Sequence, residues 1–155
     1  MRSISRTILG AILLLIGIIL LLQSLNVISA QISSAVWGVL IGIAAVAFLA
    51  QYQSYRNQWW WLIPGVALLF VAAANLGEAF LPGALATWED LLILGGLGVS
   101  FVLVYLTNRD QWWALIPAGV MLTLGASSTL ENTGVLAIDT DALLFLGLGL
   151  TFLVL

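Results

Sequence analysis

Long apolar runs constrain the fold of this chain more than any other feature. Six of them follow one another with short polar connections, at about 6–25, 34–52, 58–76, 87–106, 112–130 and 140–155. An α-helix needs about 20 mostly apolar residues to cross about 30 Å of hydrocarbon. Strands of a membrane barrel would alternate polar and apolar residues, which these runs do not. The sequence therefore predicts an all-α, polytopic integral membrane protein with about six transmembrane helices.

The composition fits a chain whose solvent is lipid. Only 7% of its residues are charged and 63% are apolar, whereas soluble domains carry about 25% charged residues. The chain contains no histidine and no cysteine, which removes the commonest general base, disulfides and thiolate metal sites. The net charge of −3 is too small to indicate an electrostatic docking surface, and nothing indicates nucleic-acid binding.

A nine-residue motif occurs twice, 53 positions apart. Residues 56–64 read RNQWWWLIP and residues 109–117 read RDQWWALIP, and we call this R-x-Q-W-W-x-L-I-P pattern the tryptophan motif. The same offset relates Gly42 to Gly95 and Phe48 to Phe101. Fixed-period similarity indicates stacked units that share packing surfaces. We therefore predict a single domain, 1–155, built from three tandem helical hairpins at about 6–52, 56–106 and 109–155.

The last run is short for a span. Its 15 residues from Asp141 give about 22 Å at 1.5 Å per residue, less than the hydrocarbon core. We therefore expect the natural chain to continue beyond residue 155 with another copy of the tryptophan motif.

The arginines predict the orientation. With six antiparallel helices, all four cations fall on one side of the membrane: Arg2, Arg6, Arg56 and Arg109. The positive-inside rule makes that side cytoplasmic, so the N-terminus is expected in the cytoplasm.

Aromatic residues in the two motifs are the candidates for contact with a lipid or a quinone: Trp59, Trp60, Trp112 and Trp113. One interpretation is a stacking surface for a quinone, carotenoid or other flat hydrophobic molecule. The other, which the position of the motifs favours, is an interfacial belt in which Trp rings settle at the headgroup level. Trp37 and Trp88 are expected in a belt on the opposite side. Pro64 and Pro117 are expected in the first turns of their helices rather than at kinks.

Glycines predict helix-packing faces, because small residues let helices in lipid approach closely. The candidates are Gly38, Gly42, Gly95, Gly98, Gly147 and Gly149. A nucleotide-binding interpretation would need a preceding strand and a helix N-terminus in water, and neither is predicted here.

The predicted spans hold little chemistry. Glu89 and Asp90 form the one adjacent pair of carboxylates, but they are better explained as the first turn of a helix with Thr87 as its N-cap. Between the caps of the six spans no side chain is charged, whereas pumps and ion-coupled transporters need such groups. We expect no enzymatic activity, no cofactor and no metal.

The first two helices resemble a known family. The segments ILGAILLLIG at 8–17, LNV at 25–27 and VWGVLIG at 36–42 are similar to the LiaI/LiaF-like transmembrane region of small bacterial envelope proteins. The resemblance covers about a quarter of the chain and implies a bacterial inner-membrane location. The tandem tryptophan motifs depart from the signalling members of that family.

Three functions remain open on the sequence. The first is a non-catalytic accessory subunit that packs against a larger membrane complex, respiratory or photosynthetic, with lipids and other integral membrane subunits as partners. The second is a membrane anchor or sensor of an envelope-stress system. The third is a passive carrier or binder of a lipophilic molecule such as quinone or carotenoid.

Overall fold

A computed structural model describes residues 2–25, 29–55, 58–134 and 140–154. This part of the chain is helical and contains no strand. Its six α-helices are α1 (Arg2–Ser24), α2 (Ala30–Ser54), α3 (Leu62–Phe80), α4 (Glu89–Thr107), α5 (Leu115–Thr133) and α6 (Thr140–Val154). The predicted all-α fold is confirmed.

Four helical segments among the described residues are long and apolar enough to cross a membrane: Ala30–Ser54, Trp59–Phe80, Ala86–Thr107 and Trp112–Thr133. At 1.5 Å per residue, the three segments of 22 residues reach about 33 Å, which matches the hydrocarbon thickness. A shorter apolar helix covers Asp141–Leu153. The protein is therefore a multi-pass membrane protein.

Short 3₁₀ turns precede three of the helices, which the apolar pattern did not predict. They cover Trp59–Trp61, Ala86–Trp88 and Trp112–Ala114. Because α3 and α5 begin only after these turns, Pro64 and Pro117 each occupy the third α-helical position. The N–H groups of a first turn have no partner in the helix, so proline fits there without a kink. The prediction that both prolines belong to helix starts is confirmed.

Thr87 is not the N-cap of α4, contrary to the sequence-based prediction. It lies inside the 3₁₀ turn, and no side chain caps the start of α4. The tighter turn satisfies backbone N–H groups that a cap would otherwise take. At the start of α2, by contrast, a side chain does cap the helix: the Ser29 hydroxyl oxygen accepts a hydrogen bond from the Ile32 N–H.

Helices α2 and α3 pack antiparallel through close approaches at small residues. A Cβ added at Gly38 would lie 2.7 Å from the Leu76 Cγ, and one at Gly65 would lie 2.9 Å from the Leu49 Cγ. Residue 38 of α2 meets residue 76 of α3, whereas residue 49 meets residue 65. The two helices therefore run antiparallel. Lipid-embedded helices associate largely through such packing, because lipid supplies no hydrophobic drive between them.

The α4–α5 pair repeats this interface. In the α2–α3 pair, a Cβ at Gly42 would lie 3.7 Å from the Ala72 Cβ. In the α4–α5 pair, a Cβ at Gly125 would lie 3.2 Å from the Gly95 backbone nitrogen. These two pairs correspond at the 53-residue offset seen in the tryptophan motif. The internal repeat therefore appears in helix packing as well as in sequence. The two most extensively packed helix pairs, α2–α3 and α4–α5, are each joined by a loop that carries a tryptophan motif. The hairpin bounds 6–52, 56–106 and 109–155 stay a prediction.

Helix α6 packs on α5 in a different register. A Cβ at Gly147 would meet the Thr123 side chain, and one at Gly119 would meet Thr151. In the α3–α4 pair the corresponding approach is Gly96 against Phe70. At the 53-residue offset, Phe70 and Gly96 correspond to Thr123 and Gly149. Since Thr123 meets Gly147 instead, α6 is shifted along α5 by two residues relative to the α3–α4 pair. Gly149 itself faces open space.

The buried core lies near the tryptophan motifs, where α3, α4 and the turn before α5 meet. Its members are Leu62, Val66, Val104 and Ala114. Extensive packing within the described residues joins consecutive helices only, from α2 to α6. The helices therefore form an open layer whose faces point outward. Large apolar side chains on these faces, such as Leu14, Val46 and Leu153, are expected for a protein whose surroundings are lipid.

Candidate functional site

The two tryptophan motifs fold alike and meet at one end of the helical layer. In each, a glutamine precedes a 3₁₀ turn, which then leads into a long helix: Gln58 before Trp59–Trp61, and Gln111 before Trp112–Ala114. The indole rings of Trp59 and Trp113 lie 5.6 Å apart between centroids, at an interplanar angle of 62°. Such edge-to-face pairs contribute about 0.5–1.5 kcal/mol beyond their buried area. We call this end of the molecule the tryptophan end.

Each glutamine holds one indole by a hydrogen bond. The Trp61 Nε1–H donates to the Gln58 Oε1 at 2.7 Å, and the Trp113 Nε1–H donates to the Gln111 Oε1 at 2.6 Å. The two copies use different tryptophans, because position 61 corresponds to Ala114 in the second copy, and that alanine is fully buried. This role of the glutamines was not predicted, although the Q shared by both copies of R-x-Q-W-W was the available sequence signal.

Further aromatic contacts link the turns to the helices. Trp60 stacks on Trp61 with centroids 3.8 Å apart, and Phe48 lies 5.5 Å from Trp61. In the second copy Phe101, which corresponds to Phe48, contacts Trp113 at 6.3 Å. The ring contacts thus form two groups, one of Phe48, Trp61 and Trp60 and one of Trp59, Trp113 and Phe101.

The four candidate lipid-contact tryptophans differ in exposure. Trp60, Trp112 and Trp113 are exposed, while Trp59 is partly buried against the core. Exposed indoles beside a water-facing loop are typical of the membrane interface, where the ring is apolar and its N–H is polar. The geometry accommodates an interfacial belt and also a flat hydrophobic molecule lying on the exposed rings.

Arg109 is exposed in the loop between α4 and α5, and its guanidinium carbon lies 4.7 Å from the centre of the Tyr105 ring. A cation–π contact at an exposed site contributes about 0.5–1 kcal/mol. The loop turns at Asn108, whose side-chain oxygen accepts a hydrogen bond from the Asp110 N–H at 3.0 Å. Arg2 and Arg6 lie in the first turns of α1, and Arg56 lies outside the described residues.

Acidic side chains gather at the opposite end of the layer. The Glu78 carboxylate accepts a hydrogen bond from the Gly83 N–H at 3.2 Å. Asp90 at the start of α4 accepts one from the Asn132 side-chain amide near the end of α5, also at 3.2 Å. Both carboxylates serve local structure, and the described residues contain no cluster of acids that could hold a metal ion.

Hydroxyl and amide groups on the helices bond mainly to their own backbone. Each of ten side chains donates to a carbonyl three or four residues earlier: Ser24, Ser34, Ser54, Asn75, Ser100, Thr107, Thr123, Thr129, Thr133 and Thr151. Such bonds satisfy a polar group inside lipid without a partner helix. The buried hydroxyls of Ser33 and Ser127 have no hydrogen-bond partner among the described residues. The arrangement forms no polar path along the part of the chain that the structure describes.

Trp37 lies within α2 rather than in its first turn, and its place in an interfacial belt stays a prediction. It is the eighth residue of α2, which begins at Ala30, so it sits about 10 Å along the helix from its start. Trp88, in contrast, ends the turn that precedes α4. The difference arises because α2 starts four residues earlier than predicted.

Comparison with known families gave one match, which covers residues 2–59. The family is described as "Cyanobacterial TRADD-N associated 2-Transmembrane domain". The match spans α1, α2 and the first residue of the turn before α3, the same two helices that carried the LiaI/LiaF resemblance. It supports a small bacterial transmembrane family for this region without singling out LiaI/LiaF. Comparison with curated proteins and with solved structures gave no match.

Proposed function

We propose that the chain is a non-catalytic structural subunit that packs against other integral membrane proteins, in a respiratory or photosynthetic complex of a bacterial inner membrane. The observation that carries this proposal is the open layer of helices. A layer in which consecutive helices pack on one another encloses no interior path for a substrate. It presents broad apolar faces that lipid or another protein can cover.

The use of polar groups supports the same proposal. Transport and catalysis in membranes depend on ionisable or polar side chains that face a cavity. The described hydroxyls that hydrogen-bond within the spans do so to their own helices, and the carboxylates of Glu78 and Asp90 hold local structure at one end. The exposed indoles of the tryptophan end would hold the subunit at a fixed depth, with the N-terminus in the cytoplasm.

Site-specific photo-crosslinking tests the proposal in native membranes. A photoreactive residue at position 153 would sit on the exposed face of α6, where Leu153 is 82% exposed. The matched control is position 104, because Val104 is fully buried and can reach only this chain. We expect a discrete adduct with another membrane protein from position 153 and none from position 104. Lipid adducts alone, together with a lone monomer after gentle detergent extraction, would contradict a subunit role.

A membrane anchor or sensor is the second candidate, and the family match favours it. The matched family is described as a two-transmembrane domain associated with TRADD-N, which implies that such helices accompany another domain. In this chain the helices α1 and α2 would supply the anchor. Photo-crosslinking distinguishes the two functions. An anchor should give protein adducts from photoreactive residues placed in its water-facing loops and no protein adduct from position 153 on α6.

A further inference from the structure

The first and last of the described helices, α1 and α6, each leave one apolar face uncovered. Spacings of four, three and four residues place the members of each face on one side of its helix. The α1 face consists of four exposed residues: Gly10, Leu14, Gly17 and Leu21. The α6 face also consists of four exposed residues: Ala142, Leu146, Gly149 and Leu153. A Cβ added at any of the three glycines would meet no described atom within 4 Å.

The α6 face is the counterpart of a face on α4 that another helix covers. Helix α6 aligns with α4 at an offset of 51, because Gly147 packs on α5 as Gly96 packs on α3. The segments GVSF and GLTF, which begin at Gly98 and Gly149, match at the same offset. A Cβ at Gly98 would lie 2.7 Å from the Leu122 Cγ of α5. A leucine from a neighbouring helix therefore covers the α4 position, whereas the same position of α6 is open.

The α1 face is likewise the counterpart of a covered face, in this case on α3. The segment GAILLLIG at 10–17 aligns with GVALLFVA at 65–72, an offset of 55. This offset carries the α1 face onto the side of α3 that packs against α2. The close approaches on that side are Gly38 with Leu76, Gly42 with Ala72, and Leu49 with Gly65.

The two uncovered faces complement each other when both offsets are applied to them. An α6 placed against α1 as α2 lies against α3 sets a large residue opposite a small one at every level. Small residues let helices in lipid approach closely, and large residues fill the space opposite them. The α6 offset comes from its packing on α5 and the α1 offset from its alignment with α3, so neither depends on this match. The four pairs are Gly10 with Leu153, Leu14 with Gly149, Gly17 with Leu146, and Leu21 with Ala142.

A second copy of the chain is the partner that brings these faces together. Within one copy, extensive packing of the described helices joins consecutive neighbours only, from α2 to α6, and both faces stay exposed. With six antiparallel spans, α1 and α6 run in opposite directions. Two copies that lie side by side with the same orientation in the membrane can therefore join α6 to α1 antiparallel, as α2 joins α3.

We propose that copies of this chain associate head to tail in the membrane, with the α6 face of one copy packed on the α1 face of the next. Because the two faces differ, the contact is heterologous and one copy can follow another in a row or a ring. The proposal does not rest on the structural role given above, since it uses the two edges of the layer and leaves its broad sides free. A crosslinked pair of copies has twice the mass of the chain, which distinguishes it from an adduct with a different subunit.

Disulfide crosslinking between two differently tagged forms of the chain tests the contact in membranes. The chain contains no cysteine, so we pair Leu14→Cys in one form with Gly149→Cys in the other. A disulfide forms only when the two Cα atoms lie about 4–7 Å apart, so it reports close packing. The matched control is Leu13→Cys, because Leu13 is 61% exposed and Leu14 is 64% exposed but the two point about 100° apart around the helix. We expect at least tenfold more mixed dimer from Leu14→Cys than from Leu13→Cys.

Three results of the crosslinking would overturn the proposal. The first is no mixed dimer, or equal amounts from the two positions on α1. The second is a dimer formed by Gly149→Cys alone, which would show that α6 meets α6 of the other copy. The third is an intramolecular disulfide in a chain that carries both Leu14→Cys and Gly149→Cys, which would show that α1 of the same copy covers α6.

An exchange of side-chain sizes tests the same register without oxidation. Energy transfer between donor- and acceptor-labelled copies in vesicles of phosphatidylethanolamine and phosphatidylglycerol measures association, and circular dichroism checks that the helices are retained. Gly149→Leu fills the place of Leu14 of the next copy, so we expect it to weaken association at least tenfold. Leu14→Gly added to the same chain makes room for the new side chain and should restore association to within about threefold. An original chain that stays monomeric, a folded Gly149→Leu chain that associates as before, or a double variant without recovery would overturn the proposal.

Discussion

Replacing Gly125 by leucine should separate α4 from α5 and destabilise the helical layer. A Cβ at this position would lie 3.2 Å from the Gly95 nitrogen and 3.3 Å from the Leu91 Cα. Both atoms belong to the α4 backbone, which cannot rotate out of the way as a side chain can. The additional atoms of leucine would occupy the place of α4 itself, so the two helices have to move apart.

The size of the effect follows from the packing that is lost. A gap of 0.5–1 Å forfeits about a quarter to a half of each dispersion contact, and α4 and α5 are held together largely by such contacts. Overpacking of an interior typically costs about 1–3 kcal/mol, and we expect Gly125→Leu to fall at the upper end. Gly125→Ala should cost about 1 kcal/mol, because a shift of a few tenths of an ångström accommodates one methyl group.

Unfolding in mixed detergent micelles, followed by circular dichroism, measures these changes. The control is Ala126→Leu, which adds the same leucine side chain at the next position, where Ala126 is exposed. We expect the control to change the free energy of unfolding by less than about 0.5 kcal/mol. If Gly125→Leu is no more destabilising than Ala126→Leu, the close α4–α5 packing described above is wrong.

Three further substitutions test local features by the same unfolding measurement. Gln111→Leu removes the acceptor of the Trp113 indole N–H, so we expect a loss of about 0.5–1.5 kcal/mol and a changed near-ultraviolet dichroism of the indoles; an unchanged spectrum would argue against this hydrogen bond. Ser127→Ala removes a buried hydroxyl without a described partner, so stability should stay constant or rise by up to about 1 kcal/mol, and a clear loss would reveal a partner. Pro117→Ala should change stability by less than about 1 kcal/mol, because proline fits the first turn of α5, and a gain of about 3 kcal/mol, as expected on removing a proline from a helix interior, would contradict that placement.

The helices were predictable because lipid leaves few alternatives for an apolar run. The predicted ends of the spans lie within a few residues of the observed ones. The 3₁₀ turns at Trp59 and Trp112 were not predictable from apolar pattern alone. In both turns a glutamine side chain accepts a hydrogen bond from an indole N–H, and a hydropathy pattern carries no information on such bonds.

The sequence predicted only part of the tertiary arrangement. Gly38 and Gly95 were assigned to packing faces. In the structure α2 approaches α3 at Gly38, and α4 approaches α5 at Gly95. The meeting of Trp59 with Trp113 depends on how α3 and α5 flank α4, which a single sequence does not encode locally. The two-residue shift of α6 likewise arises from the fit of Gly147 against Thr123.

Accessibility of single cysteines tests most directly the central claim, that antiparallel helices cross the membrane with the tryptophan end in the cytoplasm. The chain contains no cysteine, so one introduced thiol gives an unambiguous signal. Asp110→Cys marks the tryptophan end, and Ala84→Cys marks the loop at the other end; both positions are exposed. A membrane-impermeant maleimide applied to intact cells should label Ala84→Cys and should reach Asp110→Cys only after permeabilisation. Labelling of Asp110→Cys in intact cells, or equal labelling of both, would contradict the account.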